Sequence, residues 1–214
     1  LSMNAFQMAI VHNHIHDLFY TGVSCGWEWG YHQNVSRDNL IAWNHIHDIG
    51  QGLLSDMGGI YTLGVQPGTV LRGNLIHDVH SAHYGGWCIY PDEGSSHILI
   101  EHNVCYDADR NAFHQHYGRE NVIRNNIFAF GGEAVCTYSR KEPHRGFTFM
   151  RNILVTSSLP LWNKAQSDDA GSLEPEKERI LCDLNLIFDT DAAEPTIHSR
   201  DRTFSLAAWR EAGL

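Results

Sequence analysis

Two aspartates, Asp56 and Asp92, lie in glycine-rich stretches of similar composition and have the chemistry of a catalytic pair. The first stretch runs from Ser55 to Thr62, and the second runs from Gly85 to Ser96. If both stretches lie on neighbouring strands about 4.8 Å apart, the carboxyl groups reach the separation of roughly 5 to 9.5 Å that glycoside hydrolysis uses. One group would protonate the glycosidic oxygen, and the other would act as nucleophile or base. The alternative role for both acids is the capping of turns.

Aromatic, imidazole and further acidic residues accompany the two aspartates, as is typical of a sugar-binding surface. Tyrosine and tryptophan stack on sugar rings because they combine an apolar face with a polar tip. Glu93 is the reserve catalytic carboxylate, and His116 is a candidate for assisting proton transfer. The residues predicted to bind substrate are Glu28, Tyr61, Trp87, Tyr90, His114 and Tyr138. Packing in the core or at the rim is the alternative role for the aromatic residues.

Histidines at strand spacing raise the question of a metal site. His114 and His116 share one strand face, but a tetrahedral site needs a third ligand and supporting hydrogen bonds, so sugar binding is favoured. His12, His14 and His16 alternate in the same way. Because His-Asp recurs in later repeats, this pattern indicates a ladder of stacked, hydrogen-bonded side chains on the outer surface. We therefore predict no metal site and no cofactor, with calcium kept only as a minor alternative.

The elements that position these residues belong to a repeat. Self-similarity at a period of 20 to 50 residues indicates a solenoid or a propeller. The residues three before and two after each repeated asparagine are apolar, so two core-facing strands flank a bend at this point. Asparagine suits the bend because it tolerates left-handed backbone, and stacked copies would bond one another. The seven copies are Asn13, Asn44, Asn74, Asn103, Asn126, Asn152 and Asn185.

A third strand in each repeat carries the candidate site. Its inward column is predicted to be Trp27, Ile60, Ile89, Phe113 and Val135, and its outward column Glu28, Tyr61, Tyr90, His114 and Cys136. Tyr138 is placed two positions beyond the outward column, level with Asp92 and His116. We expect the outward aromatic and histidine residues to be solvent-accessible on one concave surface with Asp56 and Asp92.

Three strands per repeat predict an all-β fold, a right-handed parallel β-helix of about seven turns, with the handedness taken from the general rule for parallel crossovers. A propeller is less favoured because its blades need about 40 residues. Residues 1–214 are expected to form one domain, with a polar loop at 166–178 and a short helix at 205–212, capped by Ser205 and ended by Gly213. Since solenoid ends need caps, we expect an excerpt of a longer protein.

Composition limits the classes of partner. A net charge of −10 with only 15 Lys and Arg residues argues against nucleic acid and against acidic polysaccharides. No run of about 20 apolar residues is present, so no membrane span is predicted. Of the five cysteines, Cys105 and Cys182 fall in apolar columns and are expected to be buried thiols. The expected partner is a neutral carbohydrate, and the oligomeric state is left open.

The Asn-Xaa-Ile-His-Asp repeats resemble right-handed parallel β-helix proteins of the pectate-lyase-like superfamily. Residues 50–62, 92–96 and 113–118 are most similar to bacterial β-helix glycosidases of glycoside hydrolase family 141, a group associated with α-L-fucosidase or xylanase activity on complex plant glycans. The resemblance covers most of residues 27–162 and also 205–214. It implies that Asp56 and Asp92 are the catalytic pair and that the protein is secreted or periplasmic.

Two departures from that family flank the proposed acid. Cys88 stands where such sequences usually have Gly, and Pro91 stands where Thr or Leu is common. An altered strand backbone at these positions would shift specificity or, in a truncated chain, abolish activity.

Three functions remain in competition. A glycosidase acting on a neutral plant or algal polysaccharide is favoured, and a non-catalytic glycan-binding or surface-adhesion β-helix is the alternative. A polysaccharide lyase would need a calcium-binding acid cluster and a basic proton abstractor. Residues 56–116 contain only Arg72 and Arg110 as cationic candidates, so the lyase ranks last.

Overall fold

The chain forms a parallel β-solenoid of about six turns, built from three parallel sheets. The computed structural model describes residues 2–140, 142–164, 180–191, 194–199 and 202–211. The predicted all-β parallel β-helix is confirmed, with one fewer turn than expected because seven copies of the repeat enclose six complete intervals. The right-handed sense stays a prediction from the chirality rule.

Each sheet collects one strand from every turn, so residues one repeat apart become neighbours. The first sheet contains, in order, β1 (Ser2–Met3), β4 (Val23–Gly26), β7 (Met57–Leu63), β10 (Gly86–Pro91), β13 (Asn111–Gln115), β16 (Cys136–Tyr138), β19 (Trp162–Lys164), β22 (Thr196–Ser199) and the antiparallel β23 (Arg202–Ser205). The second contains β2 (Ala9–Val11), β5 (Leu40–Ala42), β8 (Val70–Arg72), β11 (Leu99–Glu101), β14 (Asn121–Arg124), β17 (Phe147–Met150) and β20 (Ile180–Asp183). The third contains β3 (His14–Leu18), β6 (His45–Ile49), β9 (Leu75–Val79), β12 (Val104–Ala108), β15 (Ile127–Ala129), β18 (Ile153–Thr156) and β21 (Leu186–Asp189).

The apolar columns of the repeat meet in one continuous core. On the third sheet Cys105 pairs with Ile76 on one side and Phe128 on the other, and all three are fully buried. On the first sheet Ile60 and Ile89 point into the same core. The core columns that flank the repeated asparagine are therefore confirmed for the five copies from Asn44 to Asn152, and Cys182 in the last copy is an exception.

The repeated asparagines form a continuous hydrogen-bonded ladder at the bend between the second and third sheets. Nδ2 of Asn74 donates to Oδ1 of Asn103 at 2.9 Å, and Nδ2 of Asn103 donates to Oδ1 of Asn126 at 3.0 Å. The same Oδ1 of Asn103 accepts the main-chain N–H of Asn74 at 2.9 Å. The predicted ladder is confirmed. The left-handed residue, however, precedes the asparagine, as at His102 with a φ of 58°.

The C-terminal part ends in the predicted short helix, α1 (Leu206–Glu211). Oγ of Ser205 accepts the N–H of Ala208 at 3.1 Å, which confirms the N-cap. The predicted end at Gly213 and the predicted loop at 166–178 lie outside the described residues. None of the helices in the described part of the chain combines the length and apolar character needed to cross a membrane.

Of the two cysteines predicted to be buried thiols, only one is buried. Cys105 is a buried free thiol, as predicted. Cys182 is exposed, so its predicted burial is wrong. It lies on β20, the last strand of the second sheet among the described residues, where no further strand covers it.

Candidate functional site

Strands β7 and β10 lie side by side and position the two aspartates. Tyr61 pairs with Tyr90 in this register, and both side chains belong to a cluster on the outer side of the sheet, separate from the main core. Asp56 directly precedes β7 in left-handed backbone with a φ of 59°, and Asp92 directly follows β10. Gly85 is required beside Asp56, because a Cβ at this glycine would lie 2.9 Å from the Cα of Asp56.

Two stacked tyrosines connect the strands to the two carboxyl groups. The hydroxyl of Tyr90 donates to Oδ1 of Asp56 at 3.1 Å, and the hydroxyl of Tyr61, whose ring stacks on that of Tyr90 at 4.7 Å, donates to Asp92. The two acids lie at opposite ends of the paired strands, so these tyrosine contacts, and not strand pairing, link them.

Asp92 is the desolvated member of the pair. It is 5% exposed, and burial raises the pKa of its carboxyl group. Hydrogen bonds from Tyr61 and Tyr90, and the nearby His116, oppose this increase without cancelling it. Asp56 is only half-buried, so the two acids occupy different environments.

The expected exposure of the outward column is wrong, because its side chains cover one another. Tyr61, Tyr90 and His114 are only 5%, 4% and 3% exposed, and Trp87 is buried as well. The rings of Tyr61 and Tyr90 stack at a centroid distance of 4.7 Å, and Trp27 packs on Tyr61 at 5.2 Å. Large rings on strands only about 4.8 Å apart leave no gap for solvent. We call Trp27, Tyr61, Trp87, Tyr90 and His114 the aromatic cluster.

Two predicted substrate-binding residues are displaced by errors of register. Tyr138 pairs with Gln115 and lies in the main core, where it packs against Phe147 and Trp162. Its predicted place on the outer face is therefore wrong. Glu28 lies in the loop after β4, and Ser24 is the residue that pairs with Tyr61.

His114 has a structural role in the aromatic cluster. The ring of Trp87 stacks on it at 4.2 Å with an interplanar angle of 11°. Its Nδ1 contacts Oγ1 of Thr137 at 2.5 Å, and its Nε2 contacts Oγ of Ser139 at 3.3 Å. Burial lowers the pKa of His114 to about 3, so this side chain stays neutral and offers neither charge nor a free nitrogen to a ligand.

The neutral state of His114 predicts a pH dependence of stability. An unfolded histidine takes up a proton below a pKa of about 6.5, whereas the folded one does not until the pH approaches 3. The stability that depends on neutral His114 is therefore fully present above the pKa of this histidine in the unfolded state, and it is lost as the pH falls below that value. Between pH 7 and pH 5 we expect the free energy of unfolding of the wild type to fall by about 2 kcal/mol more than that of His114→Gln.

Urea unfolding at both pH values measures this difference. His97→Gln serves as the matched control, because His97 is exposed and lies outside the aromatic cluster. Equal pH dependence in the wild type and His114→Gln would contradict the prediction.

Glu93 and His116 lie at the ends of β10 and β13, next to Asp92. Glu93 accepts a hydrogen bond from the hydroxyl of Tyr117 at 2.8 Å, and Nδ1 of His116 contacts Oγ of Ser139 at 2.7 Å. Both are half-buried. A pocket lined partly by His116 and Arg140 opens here, but it includes neither aspartate.

Two tyrosines that were not among the predicted site residues lie against Asp56. The hydroxyl of Tyr20 donates to the main-chain oxygen of Asp56 at 2.8 Å, and the main-chain oxygen of Tyr84 accepts the N–H of Asp56 at 3.2 Å. Tyr20 is 36% and Tyr84 56% exposed. Tyr84 precedes Gly85-Gly86 directly, one turn after Ser55-Asp56, so strict alignment of the turns would have found it.

The site thus offers one buried acid, one half-buried acid and two exposed tyrosine rings. A carboxyl group with a raised pKa beside a second carboxyl group is suited to proton donation with nucleophilic or base assistance. No protein-family model, curated protein or solved structure matches this chain.

Proposed function

We propose that the protein is a glycoside hydrolase acting on a neutral plant or algal polysaccharide through Asp56 and Asp92. The observation that carries this proposal is the stacked pair of Tyr61 and Tyr90, whose hydroxyls donate to Asp92 and Asp56 although only Asp92 is buried. The resemblance to glycoside hydrolase family 141 supports the same pair. The same resemblance supports a secreted or periplasmic location, which is part of the proposal.

The two acids take different roles. Asp92 is assigned as the general acid, because burial raises the pKa of its carboxyl group and so favours the protonated form that donates to the leaving oxygen. Asp56 is nearer to solvent and acts as the nucleophile or as the base that activates water. Tyr20 and Tyr84 border Asp56 with exposed rings and provide the first sugar-stacking surface.

A non-catalytic glycan-binding β-helix is the second candidate, and the burial of Asp92 favours it. The hydroxyl of Tyr61 donates to Asp92, so this acid also braces the aromatic cluster. In this alternative the exposed rings of Tyr20, Tyr84 and Trp29 hold the glycan.

A lyase is not proposed, because both candidate bases already have acidic partners. Arg72 pairs with Glu101, and Arg110 pairs with Glu133. An arginine held by a carboxylate is poorly suited to abstracting a proton.

Parallel assays of cleavage and binding separate the two candidates. Wild type and Asp92→Asn are incubated with aryl glycosides and neutral plant polysaccharides, and released sugar is measured together with retention in affinity gels. If the protein is a glycosidase, the wild type releases sugar and the Asp92→Asn variant does not. If it is a binding protein, it is retarded in the affinity gel and releases no sugar. This retardation is unchanged in Asp92→Asn and reduced in Tyr84→Ala. Neither release nor retardation on any neutral glycan would exclude both functions.

A further inference from the structure

Two columns of imidazole rings on the outer surface of the third sheet take no part in the proposed glycosidase site. In one column the rings of His16, His47 and His77 stack at 5.1 Å with interplanar angles of 5°. In the other, His14 and His45 stack at 5.0 Å. The ladder predicted from the repeated His-Asp pairs is confirmed.

The ring nitrogens of the two columns face each other. Nε2 of His14 lies 2.6 Å from Nε2 of His47, and Nε2 of His45 lies 2.8 Å from Nε2 of His77. The potential ligand atoms of His14, His45 and His47 all lie within 4.8 Å of one another. Zn–N bonds of about 2.0 to 2.1 Å at tetrahedral angles require nitrogens about 3.3 Å apart. This spacing lies between the 2.6 Å contact of His14 with His47 and the 4.8 Å within which all three ligand atoms lie.

The aspartate after His47 prepares its ring for a cation. Nδ1 of His47 lies 2.6 Å from Oδ2 of Asp48, so Nδ1–H donates to the carboxylate and Nε2 presents its lone pair.

We propose that His14, His45 and His47 bind a divalent transition metal ion of the Zn²⁺ class through their Nε2 atoms, with one position left for water or another ligand. Imidazole ligands suit Zn²⁺, Cu²⁺ and Ni²⁺, whereas Ca²⁺ and Mg²⁺ prefer oxygen. In the metal-free protein the short Nε2 contact is a hydrogen bond donated by Nε2–H of His14. When the metal binds, His14 gives up this proton to water and takes one up at Nδ1, so it remains a neutral imidazole with no net loss of a proton. This replaces the sequence-based prediction of no metal site, which considered ligands within one strand and not across two turns.

Titration of untagged, metal-free protein with ZnCl₂ against a chromophoric chelator tests the site. We expect one Zn²⁺ per chain, a loss of affinity of 100-fold or more in His14→Gln and His47→Gln, and a loss of about 10- to 100-fold in Asp48→Asn. His16→Gln is the matched control, because His16 lies on the same strand as His14 and stacks on His47 yet is not one of the three ligands. Asp17→Asn, beside His16 at 2.5 Å, is the control for Asp48→Asn.

Two results would overturn the proposal. One is the absence of stoichiometric Zn²⁺ binding by the wild type. The other is a loss of affinity in His16→Gln as large as that in His47→Gln, which would show unspecific binding to surface histidines. Thermal unfolding of each variant checks the fold. Because His14 is exposed, His14→Gln still decides the question if replacement of His45 or His47 disturbs the sheet.

Discussion

Replacement of Asp92 by Asn is expected to lower the turnover of a neutral polysaccharide by about 10³-fold, with little change in the thermal unfolding temperature. The amide has the shape of the carboxyl group and still accepts the hydrogen bond from Tyr61, but it cannot donate the proton that the leaving oxygen needs. The loss should be smaller for aryl glycosides with good leaving groups, because these need less protonation. Asp56→Asn should lower turnover of both substrate types, because it removes the nucleophile or base.

The pH profile of turnover identifies Asp92 as the acid. Activity requires the protonated form, so the rate should fall as pH rises through the raised pKa of Asp92. Tyr61→Phe removes a hydrogen bond that stabilises the carboxylate. It should therefore move this alkaline limit to higher pH without the 10³-fold loss. Wild-type rates in both aspartate variants would reject the pair, and Glu93 with Glu28 or His116 would be tested next.

Asn103→Leu is expected to lower the free energy of unfolding by about 3 kcal/mol or more. The side chain accepts the main-chain N–H of Asn74 at 2.9 Å and donates to the main-chain oxygen of Leu71 at 3.0 Å. Leucine removes the acceptor of two buried donors of Asn74, its main-chain N–H and its Nδ2, at a cost of about 1 to 3 kcal/mol for each group left unpaired. For a chain of this size the unfolding temperature should fall by roughly 10 °C.

Asn13→Leu is the matched control at the exposed end of the same ladder. Asn13 donates to Oδ1 of Asn44 at 2.9 Å, but Oδ1 of Asn44 keeps the main-chain N–H of residue 13 at 3.0 Å. The expected loss is under about 1 kcal/mol. Urea unfolding of the two variants side by side measures the difference, and equal losses would show that burial of the ladder adds nothing to stability.

The fold was predictable from the sequence because a solenoid repeats its constraints in every turn. Ile46, Ile76 and Phe128 occupy one column, and a single apolar position repeated at the same place leaves few arrangements open. The first sheet was less predictable. Val135 and Cys136 both lie in the core, so an alignment based on one apolar residue cannot fix the register, and Tyr138 was misplaced by one position.

The site was predictable only in part, because its accessibility depends on contacts between turns. The sequence places Tyr61 and Tyr90 on the outer side of the sheet, and the structure agrees. That these rings bury each other, and with them Asp92, follows from side-chain rotamers and from the packing of Trp27. The opposed nitrogens of His14 and His47 depend on rotamers in the same way. The repeat period of the sequence predicts neither the burial of Asp92 nor the contact between the nitrogens of His14 and His47.

The asparagine ladder gives the solenoid an electrical polarity along its axis. From Asn44 to Asn152, one N–H of each side-chain amide donates to the asparagine of the following turn, and each side-chain oxygen accepts from the asparagine of the preceding turn. The amide dipoles therefore add, and such chains strengthen one another by polarisation. Oxygen, the negative end of each dipole, faces the N-terminal turns. The electrostatic potential is thus biased in favour of cations at the same end of the molecule that carries His14 and His45.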